Sequence, residues 1–330
     1  MSTLTASPAI PLGKALNSGL RQALENDPKV VLMGEDIGKL GGVFRITDGL
    51  QKDFGPDRVI DTPLAESGIL GTAVGLAMRG YRPVCEIQFD GFIYPAFDQI
   101  VCQVAKMHYR TGGNVKMPIT IRVPYGGGIG AIEHHSESPE GYFAATAGLR
   151  VVTCSNASDA HTMIQQAIAC DDPVLFFEPK RRYWEKGEVD PGADAYPLHK
   201  ARILTRGTDA TLLAYGPLVT TALQAAGAAA EEGRSIEVID LRSISPLDID
   251  TIAESVSRTG RLVITHEAPV FLGIGAEITS RITERCFYHL EAPVARVGGF
   301  AVPYPPAKVE KHFLPDADRI LDAIDRTFTA

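Results

Sequence analysis

Val30-Val31-Leu32-Met33 is apolar at every position, so neither face of the strand it forms can meet water. A strand of this kind belongs inside a sheet covered on both sides. Comparable runs recur at 29–34, 59–61, 82–88, 118–123, 149–153 and 173–177. Helical patterns at 14–25, 46–54, 68–78, 95–109 and 158–169 separate them. Alternation of this sort predicts a parallel sheet with helices on both faces. A charged stretch at 181–205, containing Pro and Gly, interrupts the pattern. A second alternation follows, with strands at 210–214, 236–240, 261–265 and 294–297 and helices at 218–232, 248–257, 275–285 and 316–328. The fold class expected is α/β, with two doubly wound domains at 14–180 and 206–330, a linker between them and a disordered tail at 1–13. A chain of 330 residues is long enough for two cores.

Composition removes several classes of function. Hydrophobic residues make up 45% and charged residues 22%, and no apolar run approaches the length that spans a bilayer. The formal net charge is −8, and Lys180-Arg181-Arg182 is the one basic cluster, so a phosphate backbone has no footprint. Neither a membrane nor a nucleic acid is an expected partner. Five widely spaced cysteines, Cys85, Cys102, Cys154, Cys170 and Cys286, fit reduced buried thiols better than a disulfide framework. Residues 1–13 lack the arginines of a transit peptide and the apolar core of a signal peptide, so a cytoplasmic protein is expected.

Candidate chemistry starts at Glu66. Pro63 forces Thr62 out of helical geometry, so a helix begins only after it and Glu66 falls in the first turn. That seam lies at the rim where open α/β sheets bind ligands. Position alone also allows a plain interaction with the helix dipole. Tyr125-Gly126-Gly127-Gly128-Ile129-Gly130 lacks the strand-to-helix context of a dinucleotide site. It reads better as a loop that lets backbone approach a ligand or another chain. His134 and His135, on an expected extended segment, point to opposite sides and do not share an ion. Ser138-Pro139-Glu140 reads as a helix start capped by Ser138, which would keep a preceding histidine neutral and able to move a proton, or simply hydrogen-bonded. Phe89, Phe92, Tyr94 and Phe97 follow a strand, where they either fill a core or cover a flat ring.

In order along the chain stand Gly34-Glu35-Asp36, Gly41-Gly42-Val43-Phe44-Arg45, Asp61-Thr62-Pro63-Leu64-Ala65-Glu66, Pro95-Ala96-Phe97-Asp98-Gln99-Ile100, His135-Ser136-Glu137-Ser138-Pro139-Glu140, Phe176-Phe177-Glu178-Pro179-Lys180, Val238-Ile239-Asp240-Leu241-Arg242 and Thr265-His266-Glu267-Ala268-Pro269. Together they resemble the β subunit of the thiamine-diphosphate-dependent, decarboxylating component of 2-oxoacid dehydrogenase complexes, over nearly the whole chain. Phe177-Glu178-Pro179-Lys180, Leu290-Glu291-Ala292-Pro293 and Pro303-Tyr304-Pro305 look most like the branched-chain enzymes, with pyruvate and acetoin homologues close.

The resemblance implies an N-terminal pyrimidine-binding domain and a smaller transketolase-C-like domain. It implies that Glu66 bonds a ring nitrogen of the cofactor's aminopyrimidine, that Phe92 and Gln88 lie beside that ring, and that His135 transfers a proton during acyl transfer to a lipoyl group. Glu35 matches an acidic residue of the subunit interface. A potassium ion is implied near Ile119, Thr120, Ala167, Ile168 and Asp172, although Cys170 replaces an acidic residue there. The family's magnesium and pyrophosphate are held by a Gly-Asp-Gly motif on a separate α subunit, and this chain has none. An α2β2 heterotetramer is therefore expected, with a dihydrolipoyl acyltransferase as its acceptor. The alternatives are a self-sufficient transketolase-like enzyme, which needs a further domain, and a non-catalytic scaffold, which has no use for Glu66 or His135.

Overall fold

The computed structural model describes residues 9–190 and 195–329. Its strands in chain order are β1 (Ala9–Pro11), β2 (Val30–Gly34), β3 (Val59–Asp61), β4 (Arg82–Glu86), β5 (Thr120–Tyr125), β6 (Arg150–Thr153) and β7 (Val174–Pro179). There follow β8 (Lys186–Glu188), β9 (Arg202–Thr205), β10 (Ala210–Ala214), β11 (Ile236–Asp240), β12 (Ser243–Ser245), β13 (Leu262–Pro269) and β14 (Ala295–Gly299). A seven-stranded sheet runs β12-β6-β7-β5-β4-β2-β3 and a five-stranded one β14-β13-β10-β11-β9. In these two sheets only the edge strands β12 and β9 run antiparallel to their neighbours, and β1 and β8 form a separate antiparallel pair. The α/β class and the two doubly wound units are as the alternation predicts.

In each sheet one strand takes the next two strands to join it on opposite sides, and these two points organise the molecule. In the first sheet β2 pairs with β3 on one side and β4 on the other, both parallel. In the second, β10 sits between β11 and β13. A crevice opens beyond the carboxyl ends of strands at such a point. The second crevice is filled by the protein itself. Tyr215, just after β10, donates to Glu140 at 2.7 Å, and the amide of Gly127 donates to Glu267 of β13. Gly216 has a φ of +52°, and a Cβ there would lie 2.0 Å from the Tyr125 hydroxyl, so only glycine fits this junction.

Local sequence explains the covering helices. Helix Leu12–Asn26 buries Leu12, Leu16, Leu20 and Leu24 at fourfold spacing. It packs against helix Ala157–Ala169, where a Cβ on Gly19 would collide with the His161 carbonyl at 2.6 Å. Asn156 caps that second helix by accepting from Asp159 N at 2.9 Å. A single apolar cluster runs from Met33 and Ile121 in the first sheet to Leu213, Ile239 and Ile264 in the second, so the two units share a core.

Several expectations are corrected. The tail expected to be disordered over 1–13 is ordered at its end: β1 pairs with β8, and a helix starts at Leu12. Residues 1–8 lie outside the described residues. The linker expected at 181–205 contains β8 and β9, because its backbone groups find partners in β1 and β11. The helix expected over 95–109 is broken into a 3-10 turn Asp90–Ala96, a π turn Gln99–Val104 and a short helix Met107–Arg110, with Pro95 in the first turn. The helix expected at 46–54 shrinks to Leu50–Phe54 after Gly49 adopts a left-handed conformation. The cysteines are free as expected, although Cys102 and Cys170 are only half-buried.

The filled junction makes stability depend on pH. Burial pushes the Glu140 carboxyl up from 4.5 to about 7, only partly offset by the Tyr215 hydroxyl. The stabilisation from this group is complete below about pH 4.5 and is lost as pH rises through about 7. Urea unfolding of Glu140→Gln and wild type should therefore diverge between pH 5 and 8, the wild type losing up to about 3 kcal/mol relative to the variant.

Candidate functional site

The first switch point, between β2 and β4, is where the candidate residues gather. Glu35 follows β2 directly, Gln88 stands two residues past β4, and Glu66 opens helix Glu66–Met78 after β3. Gln88 donates to the Glu35 carbonyl at 3.3 Å and to Asp36 Oδ2 at 3.4 Å, bridging the two strand ends. Glu35 and Glu66 are both 7% exposed. Burial raises the Glu35 carboxyl above its ordinary range, the nearby Glu66 charge raises it further and Asp36 adds to this, while the Ala65 amide draws it back. Glu35 Oε1 is buried without a hydrogen-bond partner. Burial beside a like charge therefore favours the protonated form of Glu35.

The aromatic run forms the adjoining wall. Phe92 lies on the 3-10 turn Asp90–Ala96, which packs against helix Glu66–Met78. Its ring meets Phe89 edge-on at 5.9 Å and His135 edge-on at 5.0 Å. Phe89 stacks on His135 at 4.0 Å and touches Phe44 at 5.4 Å. His135 Nδ1 is buried and unpartnered. The cluster's rings are half-buried, on and beside a turn that packs against the helix Glu66 opens.

Three expectations about the histidine segment change. Glu133–His135 is a 3-10 turn, with the two imidazoles edge-on at 4.5 Å. The following helix starts at Glu140 with Pro139 as its cap, and Ser138 caps nothing. The glycine loop does admit close approach, but the approaching groups are this chain's own carboxylates. Glu267 accepts from Gly127 N, and Glu310 accepts from Gly128 N at 2.8 Å and Gly130 N at 3.2 Å. Among the described residues no three His, Cys, Asp or Glu side chains are grouped to hold a metal ion.

The residues expected to hold potassium are spread over interactions of their own. Asp172 pairs with Arg150 at 2.6 Å, and Arg82 donates to the carbonyls of Ile168 and Cys170 at 3.1 Å each. The Ala167 carbonyl accepts from Cys170 N and the Ile119 carbonyl from Val174 N. Thr120 Oγ1 alone is buried and unpartnered. A guanidinium at the carboxyl end of helix Ala157–Ala169 supplies the positive charge that helix end attracts. The set does not fit a monovalent cation.

The stacking of Phe89 on His135, the buried Asp90–Lys180 pair and the Glu267 and Glu310 clasp were not foreseen from sequence. Phe89 and Asp90 sit inside the aromatic run and Lys180 inside a quoted motif, which was the available signal. Glu267 also lies inside a quoted motif, whereas Glu310 carries no local signature.

Residues 9–185 match the transketolase pyrimidine binding domain and residues 199–320 the transketolase C-terminal domain. Over 319 residues the chain is 60% identical to the pyruvate dehydrogenase E1 component subunit beta of Leifsonia xyli, spanning 97% of this chain and 95% of that protein. The chain belongs to the E1 β-subunit family of 2-oxoacid dehydrogenases. Within that family it is 53% identical to the 3-methyl-2-oxobutanoate dehydrogenase subunit beta of Mycobacterium tuberculosis, over 99% of this chain and 93% of that one. It is 46% identical to the 2-oxoisovalerate dehydrogenase subunit beta of Pseudomonas aeruginosa, over 95% and 93%. The fold is shared with a split-gene transketolase solved as an inactive β4 tetramer, at a TM-score of 0.79, 24% identity and coverage of 98% and 99%. No helix among the described residues of this β-subunit relative is long and apolar enough to cross a membrane.

Because Arg82 already serves the helix end, exchanging potassium for sodium at constant ionic strength should leave the thermal midpoint unchanged. A potassium-specific rise would show that the ion binds despite Arg82.

Proposed function

We propose that this chain is the β half of a thiamine-diphosphate-dependent 2-oxoacid dehydrogenase. Its substrate is a branched-chain 2-oxoacid such as 3-methyl-2-oxobutanoate, and its acyl acceptor is the lipoyl domain of a dihydrolipoyl acyltransferase. The observation that carries the reading is Glu66 beside Glu35, two carboxylates of buried residues just past the ends of β3 and β2, with Glu35 Oε1 buried and without a hydrogen-bond partner. A buried carboxylate without a partner is costly unless a ligand completes it.

The residues fit the aminopyrimidine of the cofactor. When bound, thiamine diphosphate supplies the nucleophilic carbon and the electron sink for loss of carbon dioxide. Glu66 holds a proton against a ring nitrogen, and the neighbouring Glu35 keeps a second carboxylate at hand to share it. Phe92 gives the ring an apolar face and keeps water from it. Gln88 ties the ends of β2 and β4 together beneath. His135, its Nδ1 unpartnered and its ring stacked on Phe89, holds or delivers the proton that accompanies acyl transfer to the lipoyl sulfur.

An α subunit in an α2β2 assembly supplies the rest, including the magnesium site, since this chain has no Gly-Asp-Gly. The surface beside Glu66 supports this. Leu64 is 80% exposed and Met78 56%, and a Cβ at Gly71 or Gly75 would meet nothing within 4 Å. A bare apolar shoulder of small residues next to a half-built site is a surface for a partner.

A pyruvate-specific subunit is the second reading, favoured by the 60% identical relative. The test is to co-purify the chain with its α subunit and compare turnover of the two acids. A kcat/KM at least about 10-fold higher for 3-methyl-2-oxobutanoate is expected, as the methyl groups of the side chain allow. Preference for pyruvate moves the assignment to the second reading, and turnover of neither rejects the enzyme. In the same mixture Glu66→Gln should assemble and lose at least about 100-fold in decarboxylation. Unchanged turnover would fit a scaffold instead. For His135→Ala, decarboxylation followed with an artificial electron acceptor should survive better than lipoyl acylation, and equal losses would remove the histidine from acyl transfer.

A further inference from the structure

Asp90 and Lys180 are both completely buried, 2.5 Å apart, and neither belongs to the set of residues described above. Burial pushes the Asp90 carboxyl up and the Lys180 ammonium down, each countered by the other. An apolar pair of the same size is often at least as stable as a buried ion pair, so core stability does not explain this one.

What the pair touches does explain it. Asp90 Oδ1 takes Lys180 Nζ, and its Oδ2 accepts the amide of Glu137 at 2.7 Å, two residues beyond His135. Lys180 follows β7 directly and is anchored by the sheet. The turn that starts at Asp90 also abuts the histidine segment elsewhere. Phe89 stacks on His135 and Phe92 meets it edge-on. A Cβ on Gly91 would lie 2.2 Å from the His134 carbonyl oxygen, so the two backbones are in direct contact. Glu35 and Glu66 are carried by other elements, the end of β2 and helix Glu66–Met78, and neither is bonded by Asp90 or Lys180.

We propose that Asp90 and Lys180 are positioning residues for His135. The lysine fixes the carboxylate, the carboxylate fixes the Glu137 amide, and the histidine segment is thereby docked in one place against Phe89 and Phe92. This rests on the acyl-transfer reading of His135. It assigns the pair to the step that uses His135 and not to the step at Glu66.

The test uses the reconstituted assembly with its α subunit and two double variants. Asp90→Leu with Lys180→Met removes both charges and the acceptor for Glu137. Asp90→Asn with Lys180→Met removes both charges and keeps an acceptor. The leucine variant should assemble, decarboxylate with an artificial electron acceptor within about threefold of wild type, and lose on the order of 10- to 100-fold in lipoyl acylation, the scale of a small misplacement. The asparagine variant should recover most of that loss and keep slow hydrogen exchange at the Glu137 amide. Wild-type acylation in the leucine variant overturns the proposal, as does equal loss in both steps or no recovery with asparagine. If the leucine variant does not assemble, the asparagine variant decides: a lowered ratio of acylation to decarboxylation, or fast exchange at Glu137, overturns it. A wild-type assembly that decarboxylates but never acylates a lipoyl domain removes the underlying reading of His135 instead, which separates the two failures.

Discussion

Arg122 is the interaction on which the rest depends. It lies on β5 in the middle of the first sheet, fully buried, and its guanidinium bonds Glu86 on β4 at 2.6 Å and Glu178 on β7 at 2.6 and 3.1 Å. Tyr183 adds a bond to Glu178 at 2.6 Å. Burial pushes the Glu86 carboxyl up and Arg122 pulls it back, so each charge is tolerable only while the others are in place. Losing one partner of a buried pair costs about 3–5 kcal/mol. The triad therefore locks three parallel strands in one register. Gln88 and Asp90 follow Glu86 at fixed offsets, and Lys180 follows Glu178, so that register sets where the site residues emerge.

The two switch points differ, and this divides the labour between the halves of the chain. At β10 and β13 the crevice is closed by Glu140, Tyr125 and the glycine loop, and carboxylates of the C-terminal unit occupy the amides that might otherwise hold a ligand. Strand β12, from the C-terminal half, adds itself to the first sheet beside β6. The C-terminal unit thus acts as a brace for the loop that carries His135. Beyond β2 and β4 stand the two buried carboxylates Glu35 and Glu66, and the turn that carries Phe92 packs against the helix that Glu66 opens. Cavities of about 620 Å³ beside Tyr142 and Leu272 and about 590 Å³ beside Phe271 and Arg319 are lined by neither Glu66 nor Phe92.

Much of this was legible in the residues. The doubly apolar strands were readable because full burial leaves no polar face to alternate, and Pro63 marked the seam before Glu66 because its ring keeps the preceding residue out of helical geometry. Glu66, Glu35, Gln88, Phe92 and His135 were named from motifs; the structure sets Gln88 and Glu66 beside Glu35, and Phe92 against His135. The misplaced pieces were those decided by neighbours rather than by propensity. Residues 9–11 and 186–188 look like tail and linker until they pair with each other. The helix expected at 95–109 has adequate helix formers, yet tertiary contacts around Asp90 pull its first turn tight.

The sequence by itself determined the alternation, the two-unit architecture and the identity of the carboxylate at the strand-to-helix seam. These follow from periodicity, composition and backbone stereochemistry, which act over a few residues. Only the tertiary structure decided that Glu35 joins Glu66, that Asp90 meets Lys180 across 90 residues, and that Glu267 and Glu310 clasp the glycine loop across 140 and 182. The reason is that buried charges take whatever partner the packed sheet brings within bonding distance, and that choice leaves no trace in the local pattern of either residue.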